Sequence, residues 1–231
     1  MATPQLPQGF IYLEEVDSTI LQEIRYAGSH NVIGRPIDGY EAPRCITTIE
    51  VAEALKAVQA ELTPLNLTLK VYDTYRPLRA SADFLKWSLD PHDQKMRAEF
   101  YPNIDKSRVF ELGYLALRSQ HNRGCAVDLT LVPLPVPPQS TYKPGDILVD
   151  SRLPKGQRFN DNSIEMGTGF DCFDPLASTL HPSISDEVRS NRMLLKNLME
   201  KHGFKNYEKE WWHYALIDEP FPDIYFDFPV R

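Results

Sequence analysis

Two short stretches, far apart in the chain, carry the side chains best suited to chemistry. Residues 119–128 read SQHNRGCAVD and residues 210–214 read EWWHY. Together they offer three side chains that could bind a metal, His121, Asp128 and His213, and a further carboxylate, Glu210, that could act as a base. Hydrolytic zinc sites use three protein ligands of this kind and keep a fourth position open for water. The pattern therefore indicates a candidate metal site for hydrolysis.

The spacing of these residues sets out how such a site would be built. If His121 precedes a tight turn at Gly124 and Asp128 lies on the following strand, their side chains can converge, with His213 arriving from a distant segment. Glu210 stands three residues before His213, so it can lie beside a metal without binding it. Each part taken alone has a plainer interpretation, because a single histidine is more often packed or exposed than a ligand.

Arg76 is a second candidate for chemistry. It follows a predicted strand and stands between Tyr75 and Pro77. One interpretation is a surface arginine near a turn. The other is a guanidinium that stabilises a developing oxyanion or binds a substrate carboxylate.

Length and composition restrict the class of protein. The chain has 231 residues with 42% hydrophobic content, which predicts one domain spanning 1–231 with a full core. A net charge of −7 argues against a nucleic-acid or anionic-membrane partner. No apolar run reaches the roughly 18 residues of a membrane span. A small molecule or peptide is the expected partner, and a homo-oligomer stays open.

The cysteines and the first residues bear on location. Cys45, Cys125 and Cys172 are an odd number without regular spacing, so we expect reduced thiols and no disulfide framework. A nucleophilic cysteine is the alternative, although none has an evident activating partner. The first residues lack the basic and apolar regions of a secretory signal, and a cytoplasmic location is therefore expected.

Apolar periodicity predicts three helices. The first covers about 48–62, where the run from Thr47 to Glu50 resembles a capping box. The second covers about 79–89. The third covers about 186–202, with Ser185 as its cap.

Strand patterns complete the expected fold. Apolar residues alternate with polar ones over 67–71 and over 126–131, and the tail from 212 to 228 is aromatic and predicts extended strand and packed loop. Helices and strands do not alternate regularly, so we predict an α+β fold with a central antiparallel sheet flanked by helices.

Residues 133–165, which we call the Pro-rich segment, fit neither pattern. They include six prolines and show little periodicity. Structureless runs of this length in compact domains tend to be functional or mobile.

With these residues in hand, the chain resembles the D-alanyl-D-alanine dipeptidases of the VanX type, within the zinc DD-peptidase and hedgehog-like superfamily. The pattern Ser-x-His-x-x-Gly-x-Ala-x-Asp over residues 119–128 is similar to the first metal motif of that superfamily, and EWWHY is similar to the dipeptidase form of the second. Further matching stretches occur in order, namely DTYRP (73–77), YPNID (101–105), MGTGFD (166–171) and YFDFP (225–229). Parts of residues 26–40 also fit, so the resemblance covers nearly the whole chain.

The resemblance implies a zinc-dependent dipeptidase acting on D-Ala-D-Ala. By motif position, His121, Asp128 and His213 would bind one zinc ion, and Glu210 would be the general base. Arg76 would stabilise the tetrahedral intermediate, and Asp171 would pair with the substrate's ammonium group. The remaining pocket residues, which would help to hold the charged ends of the substrate, would be Ser119, Tyr26 and Tyr40. The Pro-rich segment replaces a short connection in the family and lies between Asp128 and Asp171, so we expect it to border the mouth of the site.

Two other functions stay open. One is a D,D-carboxypeptidase or endopeptidase that trims longer peptidoglycan stems and accepts N-acylated substrates. The other is a zinc-binding interaction module without catalysis. Such a module would need neither Glu210 nor Arg76.

Overall fold

The structure is a computed structural model that describes residues 5–231. Within this range the α-helices are α1 (Leu13–Val16), α2 (Ile49–Leu62), α3 (Leu78–Leu89), α4 (Arg97–Phe100) and α5 (Asp186–Lys201). The strands are β1 (Phe10–Tyr12), β2 (Leu21–Gln22), β3 (Ile46–Thr48), β4 (Leu67–Asp73), β5 (Ala126–Pro133), β6 (Phe204–Asn206) and β7 (His213–Leu216). This mixture confirms the predicted α+β class.

One five-stranded sheet forms the centre, in the order β2-β4-β5-β7-β6, and β1 pairs with β3 beside it. The pairs β4–β5, β5–β7 and β6–β7 are antiparallel, as predicted. The prediction of an antiparallel sheet is wrong at one edge, where β2 runs parallel to β4. A parallel pair needs a long crossover connection, and the chain that contains β3 and α2 supplies it here.

The predicted helices form, with small shifts at their ends. Helix α2 buries Val51, Leu55, Val58 and Leu62, which recur at helical spacing. Its cap is Thr48, whose side chain accepts a hydrogen bond from the Val51 backbone, and not Thr47.

The third predicted helix is α5, which has Ser185 as its cap. The Ser185 hydroxyl accepts a hydrogen bond of 3.2 Å from the Val188 backbone N–H. The helix ends just before Gly203, whose φ of +87° is the left-handed conformation that glycine allows.

The two central strands are buried on both faces because the sheet is covered on both sides. Almost every residue of β4 and β5 is buried, including the polar Lys70, Asp73 and Asp128. The β4–β5 register shifts between Val71 and Asp73, an irregularity at the end of β4 that leads toward Arg76. Buried polar groups of this kind need partners, and the partners of Asp73 and Asp128 lie in the candidate site.

The Pro-rich segment contains turns and bends but neither helix nor strand after Pro133, which ends β5. The three cysteines are free and buried, as expected for thiols that pack as small apolar groups. Within residues 5–231, every helix is too short or too polar to cross a membrane.

Candidate active site

Three neighbouring strands bring acidic and imidazole side chains into one row across the sheet. Asp73 at the end of β4 is paired with Asp128 on β5, and Asp128 is paired with His213 on β7. Side chains directly opposite one another on adjacent strands lie about 4.5–5.5 Å apart at Cβ. The sheet register therefore brings together residues that are far apart in the sequence.

His121 joins this row from a short 3₁₀ helix, Gln120–Arg123, that precedes β5. Gly124 ends the helix with φ of +69°, and a Cβ there would lie 2.4 Å from the Phe10 ring, so only glycine fits this turn. The backbone N–H of Arg76 donates to the carbonyl of His121 at 3.0 Å, which ties the turn to the chain after β4. This arrangement is the tight turn before a strand that the spacing of His121 and Asp128 predicted.

The nitrogen and oxygen atoms of His121, Asp128 and His213 form a compact triangle. His121 Nε2 lies 3.2 Å from His213 Nδ1 and 3.4 Å from Asp128 Oδ1, and the last two atoms are 2.9 Å apart. A tetrahedral zinc ion with bonds of about 2.0–2.1 Å separates its ligand atoms by about 3.3 Å. The three residues thus form a group that could hold a metal ion, and its dimensions fit zinc.

The tautomer of His121 is also the one that metal binding requires. His121 Nδ1 lies 2.6 Å from the carbonyl oxygen of Thr74, which can only accept a hydrogen bond, so Nδ1 carries the proton. The lone pair of Nε2 then points into the triangle, as metal-binding histidines require. Burial opposes ionisation of Asp128, but His121 and His213 outweigh it and lower the pKa of the carboxyl group. Asp128 is therefore a carboxylate beside two imidazoles.

Glu210 stands next to the triangle without entering it. Its Oε2 lies 3.9 Å from His213 Nδ1, and the residue is 6% exposed. The side-chain amide of Asn206 donates to the carbonyls of Glu210 and His213, which fixes the turn before β7. Burial, followed by the charges of Asp128 and Asp171, raises the pKa of Glu210 well above its ordinary value. Such a carboxyl group can both take up and hold a proton.

Arg76 lies on the other side of Asp128 and is buried. Its Nε and Nη2 donate to Asp73 Oδ2 at 3.0 and 2.9 Å, and its Nη2 lies 3.6 Å from Asp128 Oδ2. The interpretation of Arg76 as a surface residue is therefore wrong. Tyr40 donates to Asp73 Oδ1 at 2.6 Å.

Tyr40 differs from the prediction. It was expected to line the pocket, but it is absent from the cavity wall and lies behind Asp73. Asp73 was not among the predicted site residues, although it holds Arg76 and lies 3.5 Å from His121 Nδ1. Its position three residues before Arg76, at the end of a strand that the pattern predicted, is the signal that could have identified it.

Asp171 and Tyr26 form a second polar pair in the same cavity. The Tyr26 hydroxyl donates to Asp171 Oδ2 at 2.9 Å, and both residues are buried. Burial, reinforced by the negative charge of Asp128, raises the pKa of Asp171 to about 7. Asp171 adopts φ of +58°, a left-handed conformation that non-glycine residues rarely take.

All these groups except Tyr40 and Asp73 face one cavity of about 340 Å³. Ser119 lines it too, as predicted. One wall of the cavity, formed by the chain between α4 and the His121 turn and by two aromatic side chains from near β7, was not predicted from the sequence. These additional lining residues include Phe110, Tyr114, Leu115, Arg118, Tyr207 and Trp212.

The Pro-rich segment does not line this cavity, which corrects the expectation that it borders the mouth. The segment leaves β5 at Pro133, five residues beyond Asp128 along the strand. At about 3.3 Å per residue, this exit lies about 16 Å from the metal-binding group. The order of the chain suggested proximity, but the direction of β5 carries the segment away.

A family model for D-Ala-D-Ala dipeptidases, peptidase family M15, matches residues 7–134 and 157–231. The internal unmatched stretch, 135–156, falls inside the Pro-rich segment.

Individual relatives match along nearly their whole length. The D-alanyl-D-alanine dipeptidase of Enterococcus faecium is 36% identical over 96% of this chain and 98% of its own length. That of Enterococcus faecalis is 36% identical over 97% of this chain and 100% of its own length. That of Streptomyces coelicolor is 37% identical over 96% of this chain and 98% of its own length.

Proposed function

We propose that this chain, which belongs to the D-Ala-D-Ala dipeptidase family, hydrolyses free D-alanyl-D-alanine to two molecules of D-alanine. It is a metallopeptidase by family, and we assign zinc to its metal-binding group of His121, Asp128 and His213. Two imidazoles and one carboxylate are a usual ligand set for catalytic zinc.

The observation that carries this proposal is the pairing of two sites in one cavity. The metal-binding group forms one part of the wall, and the buried pair Asp171 and Tyr26 forms another. A free dipeptide is a zwitterion, so an enzyme that selects it needs an anion for the ammonium group as well as a reactive centre. Asp171 supplies that anion in the wall of the cavity that also contains the metal-binding group.

A zinc ion at this group would supply a Lewis acid that lowers the pKa of a coordinated water molecule. Glu210 takes a proton from the attacking water as its oxygen bonds to the peptide carbonyl carbon. The C–N bond then breaks, and Glu210 transfers the proton to the leaving amine nitrogen. The raised pKa makes the Glu210 carboxylate a stronger base for the first step, and the leaving amine nitrogen is basic enough to accept the proton in the second.

The other residues bind and orient the substrate. Arg76, held by Asp73, donates to the oxyanion that develops on the carbonyl oxygen. Asp171 accepts hydrogen bonds from the substrate ammonium, and Tyr26 holds the carboxylate in place. Ser119 lines the cavity, where its hydroxyl can contact the substrate.

The test is D-alanine release from D-Ala-D-Ala by the zinc-loaded protein, beside the Glu210→Ala variant. We expect release by the wild type and its loss in the variant. Glu208→Ala is the matched control, because Glu208 is exposed and two residues away. An inactive wild type, or a Glu210→Ala variant that retains full activity, would contradict the proposal. Release from N-acetyl-D-Ala-D-Ala at a similar rate would instead identify a carboxypeptidase.

A further inference from the structure

Both ends of the Pro-rich segment are fastened to one buried ammonium group. Lys70 on β4 donates to Gln139 Oε1 at 3.3 Å, to Asn162 Oδ1 at 3.0 Å and to the carbonyl oxygen of Asp161. Lys70 also pairs with Glu23 at 2.8 Å, and Lys70 is only 2% exposed. Since residues 135–156 are the part that the family model does not match, Lys70 closes the loop that this chain adds.

The same anchor reaches Tyr72, two residues further along β4. The Tyr72 hydroxyl donates to Asp161 Oδ2 at 2.5 Å and lies 2.9 Å from the hydroxyl of Ser163. The Tyr72 side chain is fully buried. The Pro-rich segment therefore holds the polar end of a ring that belongs to the central sheet.

The ring of Tyr72 contacts the direct neighbours of both residues in the polar pair. It stacks on Phe170 with centroids 4.3 Å apart and planes 12° apart, and Phe170 precedes Asp171. The guanidinium carbon of Arg25, which precedes Tyr26, lies 5.3 Å from the centroid of the Tyr72 ring. One aromatic ring thus supports the two backbone segments that present the candidate ammonium site.

A second contact links the Pro-rich segment to the same turn. The backbone N–H of Gly169 donates to the carbonyl of Ser151 at 2.8 Å, and the Ser151 hydroxyl donates to the Glu99 carbonyl at 2.6 Å. Asp171 needs such support, because its left-handed backbone persists only where the surroundings impose it.

We propose that Tyr72, anchored by Asp161, is a positioning residue for the ammonium-binding pair Asp171 and Tyr26, and that the Pro-rich segment acts on substrate specificity through it. This inference rests on the proposed dipeptidase function. It gives the Pro-rich segment a role at a distance from the cavity, through residues that follow its unmatched part, 135–156. Ion pairs are strong only when the two groups are well aligned, so a small displacement of Asp171 weakens ammonium binding without reaching the metal-binding group.

The test is Tyr72→Phe, which removes only the hydroxyl and keeps the stacked ring. We expect KM for D-Ala-D-Ala to rise about three- to tenfold with kcat within about twofold, because a lost binding contact acts on substrate and transition state alike. The inhibition constant of propionyl-D-alanine, the same dipeptide without its amino group, should stay unchanged. A general loss of folding would instead weaken the binding of both D-Ala-D-Ala and propionyl-D-alanine, or reduce kcat.

Tyr75→Phe is the matched control. This change likewise removes a buried hydroxyl, which donates to the Phe228 carbonyl at 2.9 Å, and keeps a ring that stacks on Phe228 with centroids 4.1 Å apart. Tyr75 contacts neither Phe170 nor Arg25 by stacking. Asp161→Ala, which removes the acceptor of the Tyr72 hydroxyl, should reproduce the effect of Tyr72→Phe.

The outcomes separate this inference from the function on which it rests. An active wild type whose Tyr72→Phe variant has the same KM as Tyr75→Phe would overturn the inference and leave the dipeptidase proposal standing. A parallel rise in the inhibition constant of propionyl-D-alanine would also overturn it. A wild type that releases no D-alanine would overturn the proposed function and the inference together.

Discussion

The proposed reaction needs Asp171 as a carboxylate, although burial opposes its ionisation. Asp171 is buried among other carboxylates, and burial together with Asp128 raises its pKa to about 7. A substrate ammonium would reverse this balance by supplying the missing cation. Substrate binding and ionisation of Asp171 are therefore coupled. Without substrate, the unpaired carboxylate lowers the stability of the folded protein.

The first prediction concerns the stability of the metal-free protein. An unfolded Asp has a pKa of about 3.9, so the raised folded pKa contributes stability that is complete below about pH 4 and is lost as pH rises through 7. Asn at position 171 does not titrate and tolerates the left-handed backbone. The free energy of unfolding of Asp171→Asn, relative to that of the wild type, should therefore rise by about 3 kcal/mol from pH 5 to pH 8. Urea unfolding of chelated samples at both pH values measures this difference, with exposed Asp223→Asn as the control. A pH-independent difference would contradict the prediction.

The second prediction concerns Asp73, which the sequence did not single out. Its carboxylate accepts two hydrogen bonds from Arg76 and one from Tyr40. In Asp73→Asn the amide accepts less strongly, and Arg76 loses its fixed orientation toward the oxyanion. We expect kcat to fall about 10- to 100-fold while KM changes little. Steady-state kinetics on D-Ala-D-Ala decide this, and a rise in KM alone would show that Arg76 binds the ground state instead.

Among the helices, strands and turns, the sequence predicted those whose bounds depend on interactions between residues close together in the chain. The apolar spacing of α2 and the cap of α5 fixed both helices to within a residue or two, because side-chain burial and N-capping act within one or two turns. The turn at Gly124 followed by β5 was also predicted. These elements already place His121 and Asp128 close together.

Features that depend on pairing between distant strands were not predictable in this way. The parallel pair of β2 with β4, and the row of Asp73, Asp128 and His213 across the sheet, follow from the register of strands that are remote in sequence. The position of Tyr40 behind Asp73 depends on the same packing. The Pro-rich segment was misplaced because its order in the chain carries no information on the direction of β5.

The third prediction concerns the cap of α5. This helix packs Val188, Leu195 and Met199 into the core and lies outside the cavity wall. Ser185→Ala removes the hydroxyl that accepts from the Val188 N–H, so the free energy of unfolding should fall by about 0.5–2 kcal/mol. Ser183→Ala serves as the control, since Ser183 is exposed and lies before the cap. Denaturant unfolding checks the loss, and kcat/KM should stay at the wild-type value in both variants.

At the scale of the whole molecule, the metal-binding group joins side chains from three different elements of the fold. His121 belongs to a 3₁₀ helix, Asp128 to the centre of the sheet and His213 to the strand next to its edge. Two imidazoles and a carboxylate held 2.9–3.4 Å apart offer a cation three ligand atoms that the folded chain has already brought together. A ligand that binds only this assembled state stabilises the entire fold.

The last prediction follows from this linkage. Zinc at about 1,000 times its dissociation constant should stabilise the protein by about 4 kcal/mol, which raises Tm by about 8–16 °C for a chain of this size. A chelator should reverse the shift, as thermal unfolding followed by calorimetry would measure. Glu210→Ala should retain the shift, because Glu210 lies beside the group without belonging to it, whereas His213→Asn should lose most of it. Equal shifts in His213→Asn and the wild type would mean that zinc binds elsewhere, and the assignment of His213 as a ligand would then be wrong.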